Sequence, residues 1–316
     1  MSKRKIDTHQ HFLPKLYVDA VGLDLLRAAM PGGVAPSWSV EAALAMMDEN
    51  GIDEGILSIS SGPTLPDAVT LLRKCNDHAA ELRARHTGRF GSFASLPLPD
   101  VDAALKEVSY CLDELKVDGF IAFTNYNGLY LGDEHFTPLW EELDRRESVV
   151  FVHPNQPPHD VPPVAPASVL EYPFETTRTA TSLIMSGVLS RFRNIRFILS
   201  HAGGTLPFLV PRLALSIAMM PAVAERVGDT LAVVRSFYFD TALAAGYPPL
   251  SALAQVADPD HILFGTDFPF APTSAIRQFG KVLDDIQIPG IEMDKVYGEN
   301  AARLLARQRY WQSAAG

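Results

Sequence analysis

The stretch KIDTHQHFLP, residues 5–14, carries two imidazoles, His9 and His11, one residue apart beside an apolar pair. On a β-strand, residues i and i+2 project from the same face, so both rings would converge on one point. Paired imidazoles of this kind are a natural start for a divalent-metal site. Three further residues with metal- or proton-handling chemistry each close an apolar run of their own: His153 in VVFVHP, His201 in RFILSH and Asp267 in ILFGTD. Any one of these histidines alone would read more simply as a hydrogen-bonded core residue. Five such groups at equivalent places read as a site. Three imidazoles and a carboxylate suit Zn²⁺ or a similar ion, with one or two positions left for water or substrate.

Something must bring these ends together. Short β-branched or aromatic runs fall at 5–11, 54–60, 90–96, 119–123, 149–154, 196–201, 237–242 and 262–267. Amphipathic segments lie between them, among them 39–50, 101–116, 135–147 and 174–192, the first stopped by Asn50-Gly51. Alternation of strand and helix implies parallel pairing with right-handed crossovers. Eight repeats in 316 residues fit a closed (β/α)8 TIM barrel better than an open sheet. No glycine-rich GxGxxG turn follows an early strand, which counts against a doubly wound sheet. No linker or repeat divides the chain, so a single domain over residues 1–316 is expected. In such a barrel the C-terminal strand ends form the active face, and that is where the five residues fall. The proline-rich run 153–166, HPNQPPHDVPPVAP, follows the fifth strand and is expected over the same mouth. Strands four to six end without a lysine that could bridge two metals, so one ion is expected.

Composition narrows the function further. With 27 basic against 37 acidic residues, a net charge of −10 and no basic stripe, nucleic acid is excluded as a partner. The N-terminus, MSKRKIDTHQHF, has no apolar core of a signal peptide. No window approaches the roughly 18 apolar residues that cross a bilayer, so no membrane partner is expected. The two cysteines, Cys75 and Cys111, form no CxxC pair. They read as core residues of a cytoplasmic protein.

With those residues placed, the chain resembles the amidohydrolase superfamily, and within it the branch related to aminocarboxymuconate-semialdehyde decarboxylase. The resemblance runs over essentially the whole chain. It is carried by IDTHQHFLP, VFVHP, ILSHAGGTLPFLVPRL, FYFDTA, ILFGTDFPF and the tail YGENAARLL at 297–305. It implies a nonoxidative decarboxylase, a carbon–carbon lyase, with one divalent metal and no organic cofactor. The family's metal ligands map onto His9, His11, His153 and Asp267, and its strand-six histidine, which contacts metal-bound water or substrate, onto His201. Relatives that replace the first histidine with glutamate favour manganese. This chain keeps HxH, so zinc is expected, with manganese as the alternative.

Arg212, in VPRL, matches a family arginine and is the candidate substrate-binding residue. The two arginines that would clamp a dicarboxylate are absent from 28–38 and 214–223. The loops PSWSVEAALAMMDENGI, CNDHAAELRARHTGRFG and EYPFETTRTATSLIMSG look like those of 6-methylsalicylate decarboxylases. The resemblance therefore implies a small aromatic acid with one carboxylate and an ortho hydroxyl, and a homodimer or tetramer. Asp267 and His201 are the catalytic candidates, with Asp267 favoured as proton donor. Hydrolysis of a lactone or amide by the same metal is the alternative. Arg178 reads as an i,i+3 partner of Glu175, and Trp38, Phe268 and Phe270 as either pocket wall or core.

Overall fold

The computed structural model describes residues 4–306 apart from 29, 31, 61–66, 160, 161 and 163. Eight parallel strands run in chain order around one sheet. They are β1 (Ile6–His11), β2 (Glu54–Ser58), β3 (Phe90–Ser95), β4 (Gly119–Phe123), β5 (Val149–His153), β6 (Arg196–Leu199), β7 (Tyr238–Asp240) and β8 (Ile262–Leu263). Neighbours pair in parallel register, for example Ile6 with Glu54, Phe93 with Gly119, Val149 with Arg196 and Ile198 with Tyr238. The ring closes where the chain just after β8 bonds to β1. Thr8 N–H donates to Phe264 O at 2.9 Å, Asp267 N–H to His9 O at 2.8 Å and His11 N–H to Phe268 O at 2.7 Å. This is a (β/α)8 barrel, as the alternation of elements implied.

Every residue of β1 to β6 is buried. That fits strands covered by helices outside and packed side chains inside. The helices start and stop on local chemistry. Ser39 caps the helix Val40–Glu49 by accepting from Ala42 N–H, and Gly51, at φ 64°, ends it. Asp100 caps Val101–Tyr110 through Ala103 N–H. That helix widens into a π turn over Cys111–Leu115 and stops at Lys116, where φ is 54°. The expected long helix over 174–192 is instead two, Glu171–Met185 and Val188–Arg191, divided by Gly187 at φ 78°.

The last two strands are shorter than the expected runs of 237–242 and 262–267. Asp267 adopts φ 64°, which takes the backbone out of the extended region. Already before that turn, at Phe264 O, the chain after Leu263 bonds to β1, and it does so again through Asp267 N–H and Phe268 O. The proline-rich run does reach the mouth of the barrel through Pro154, Asn155 and Gln156. Asp160, Val161 and Pro163 of that run lie outside the described residues.

Candidate metal and active site

β1 places His9 and His11 on one face, as their spacing required, and β5 adds His153. The backbone turn at Asp267 brings its carboxylate over both rings of β1. Ligand atoms of His9, His11, His153 and Asp267 all lie within 4.8 Å of one another. His9 Nε2 is 3.1 Å from His11 Nε2, and Asp267 Oδ1 lies 3.3 Å from the former and 3.2 Å from the latter. Donors bound to one ion at about 2.0–2.2 Å are separated by about 2.9–3.5 Å, so these spacings fit ligands of a single cation. Below them Phe151, two residues before His153, sits with its ring centroid 4.9 Å from that of His9. It forms an apolar floor that keeps water out from beneath.

The charges of the quartet are mutually dependent. Burial would lower the His9 imidazolium, but the carboxylates of Asp240 and Asp267 outweigh it and raise the ring to about 10. His11 is lowered by burial, and His153 far more so, by burial and then by the His11 and His9 rings. Burial pushes Asp267 up, yet the facing imidazoles override it and hold its carboxyl well below the usual range. A carboxylate among crowded, partly neutral imidazoles is an environment short of positive charge. A divalent cation supplies it.

The supporting shell contains residues that strand-end reading did not pick out. Asp240, the last residue of β7, accepts from His9 Nδ1 at 2.9 Å. A carboxylate only accepts, so this bond fixes the His9 tautomer and turns Nε2 toward the quartet. The other Asp240 oxygen accepts from the backbone N–H of His201 at 3.0 Å and of Ala242 at 2.9 Å. Ser58 Oγ lies 3.2 Å from His11 Nδ1. Asp7, buried and raised by that burial to about 6, accepts from Thr266 Oγ1 at 2.6 Å and from the backbone of Thr266 and His9. It pins the segment that carries Asp267 to β1. Gly265 is required by close approach, because a Cβ there would stand 2.8 Å from that of His9. The sequence signal for Asp240 was present: a carboxylate ending the apolar run FYFD, the same pattern that marked Asp267.

His201 stands at the entrance, with φ at 53°. Its Nε2 is 3.6 Å from Asp267 Oδ2, and its side chain is 12% exposed. Asp267 therefore offers Oδ1 to the β1 histidines and Oδ2 to His201. Both residues line a pocket together with Leu25, Leu26, Leu243 and Phe270. Of the aromatic candidates, Phe270 is pocket wall, whereas Phe268 is buried core and Trp38 packs edge-on against Phe12.

Arg212 is not brought to this site. It is exposed on the helix Leu206–Ala218 and is not among the residues lining the pocket. The helical run VPRLAL carries no marker of which face turns inward, and tertiary packing turned this one out. Arg178 pairs with Glu175 at 2.9 Å, as the i,i+3 spacing implied. The remaining histidines serve structure where bonds are seen: His135 Nε2 meets Pro99 O, and His261 Nδ1 meets Arg235 O.

Residues 6–307 match the model of the amidohydrolase family. The 6-methylsalicylic acid decarboxylase acuB of Aspergillus aculeatus is 40% identical over 321 residues, covering 96% of each chain. The 6-methylsalicylic acid decarboxylase of Penicillium expansum is 38% identical over 314 residues, again covering 96% of each. Among solved structures, a 2,6-dihydroxybenzoate decarboxylase complexed with 2,6-dihydroxybenzoate superposes with a TM-score of 0.78. It is 25% identical, with 96% of this chain and 99% of that one covered.

Proposed function

The chain belongs to the amidohydrolase family, and from that premise we propose that it is a metal-dependent, nonoxidative decarboxylase. Its substrate is a small aromatic acid with an ortho hydroxyl, 6-methylsalicylate first among them. The observation that carries the reading is the divided role of Asp267. One of its oxygens faces the paired histidines of β1 and the other faces His201, at the edge of a largely apolar pocket. The relatives named for 6-methylsalicylate support the same choice over lactone or amide hydrolysis.

His9, His11, His153 and Asp267 would hold one divalent ion, whose charge would balance the substrate's carboxylate and ortho oxygen. The donor set of three imidazoles and a carboxylate favours zinc, with manganese the alternative. The rest of the work falls to the chain. Leu25, Leu26 and Phe270 orient the ring and exclude water. Direct loss of CO₂ would leave an aryl carbanion. Protonation of the carboxyl-bearing ring carbon comes first, and the electron pair of the breaking C–C bond then returns to the ring and restores aromaticity. Because Asp267 rests as a carboxylate, a proton passed from His201 Nε2, 3.6 Å away, to Asp267 Oδ2 is the one delivered to the ring carbon. One proton enters, CO₂ leaves, and no electron acceptor is consumed.

The same proposal includes a single domain over residues 1–316 and a homo-oligomer. Exposed Phe208, Leu215 and Met219, at i, i+7 and i+11 on one helix face, support the latter. A cytoplasmic setting is supported by Cys75 and Cys111, both free thiols. Among the described residues no helix is long and apolar enough to cross a membrane.

The purified, metal-loaded protein incubated with 6-methylsalicylate is expected to release CO₂ and m-cresol. Turnover of lactones or amides with no CO₂ from any ortho-hydroxybenzoate would overturn the assignment.

A further inference from the structure

No lysine or arginine lines the pocket among the described residues, so any hydrogen bond to a substrate carboxylate there, beside the charge of the ion, comes from another kind of side chain. One tyrosine is held ready for it. Gln156 Nε2 donates to the hydroxyl oxygen of Tyr172 at 3.1 Å, and both residues line the pocket. The bond uses the tyrosine as acceptor, and among the described residues no group accepts the Tyr172 proton.

Gln156 is itself fixed. Its N–H donates to Asn155 Oδ1 at 2.9 Å, and its carbonyl accepts from Asn125 Nδ2 at 3.0 Å. The same Asn125 amide donates to the buried Glu175 at 2.8 Å, where Tyr130 and Arg178 also converge. A buried polar network thus anchors Gln156, and Gln156 aims Tyr172. Burial, then the nearby charge of Asp267, pushes the Tyr172 hydroxyl up to about 12, so it keeps its proton at working pH.

We propose that Tyr172 is a substrate-reading residue whose hydroxyl donates to the carboxylate of the aromatic acid, with Gln156 as its positioning residue. This rests on the reading that the pocket takes an aromatic carboxylate. A hydrogen bond to a charged group is worth about tenfold to a hundredfold in affinity. It should be lost for the acid and not for its decarboxylated phenol, which has no carboxylate to read.

Binding is therefore measured calorimetrically on the metal-loaded protein carrying His201→Asn to suppress turnover, with 6-methylsalicylate and m-cresol as paired ligands. Tyr172→Phe is expected to weaken the acid about tenfold or more and leave m-cresol unchanged. Gln156→Glu supplies a carboxylate that takes the tyrosine proton, and is expected to weaken the acid in the same way. The proposal is overturned if Tyr172→Phe weakens both ligands equally, if it weakens neither, or if Gln156→Glu binds the acid normally. Failure of the acid to bind even with Tyr172 and Gln156 intact overturns the substrate reading as well. That outcome is distinct from all the others.

Discussion

Asp240 holds His9 and His201 at once: one of its oxygens accepts from His9 Nδ1 at 2.9 Å and the other from the backbone N–H of His201 at 3.0 Å. A single buried carboxylate thus sets the aim of a ring in the quartet and the place of His201, the proposed source of protons for Asp267. Asp240→Asn retains the shape but turns an NH₂ either toward His9 Nδ1 or toward the backbone N–H groups of His201 and Ala242. Metal affinity is expected to fall about 10- to 100-fold, read by competition with a chromogenic chelator while far-UV circular dichroism stays unchanged. Unaltered affinity would remove Asp240 from the metal's support.

His201 and Asp267 separate by what else they do. Asp267 faces the β1 histidines as well as His201, so Asp267→Asn should lower metal content and turnover together. His201→Asn should keep its metal and lose turnover by about 10²- to 10⁴-fold, the usual yield of a positioned proton donor. Metal analysis beside CO₂ release makes the comparison. A His201→Asn protein that keeps most of its turnover takes His201 out of the proton path.

Removing the metal should cost stability as well as activity. Refilling stripped protein at about a thousand times the dissociation constant stabilises the fold by about 4 kcal/mol. The matching observation is a rise of several degrees in Tm on adding zinc. Stripped and refilled proteins that melt together would mean that the quartet does not bind the ion.

The two thiols should be silent. Burial pushes Cys75 from its ordinary 9.0 up to about 12, and burial together with the Glu107 charge pushes Cys111 higher still. A raised thiol pKa keeps the neutral SH as pH rises, and the stability tied to that neutral form is full below the ordinary thiol value and is lost as pH climbs from there through the raised one. Between pH 7 and 10 the native protein should give no reaction with an aromatic disulfide reagent, and two equivalents after unfolding. Rapid labelling at pH 9 would contradict this burial.

Much of the site was legible because polarity at the end of an apolar run is conspicuous. His9, His11, His153, His201 and Asp267 all stand out in this way, and they converge in space. Asp240 carried the same signal in FYFD, but its role depends on which atoms it meets across the barrel, and no spacing encodes that. The outward placing of Arg212 was not legible because a helix shows its inward face only through its neighbours, and here Phe208 and Leu215 on the same helix are exposed too. Tyr172 and Gln156 sit 16 residues apart across a proline-rich run. Their meeting is a property of the folded loop rather than of either segment. The shortening of β8 to Ile262–Leu263 was equally hidden, since the residues after it bond across the closing seam to β1.

The seam of the ring has one more consequence. The bond from Thr8 Oγ1 to Phe264 O joins residues 256 positions apart, and Asp267 N–H reaches back to His9 O beside it. The donors of β1 are made first and wait for the partner that is translated near the end. No nascent chain that stops short of residue 267 can assemble the quartet, and closure over so long a loop comes late in folding. An ion lodged there would therefore mark a chain made at least as far as residue 267, and shorter chains would be left empty.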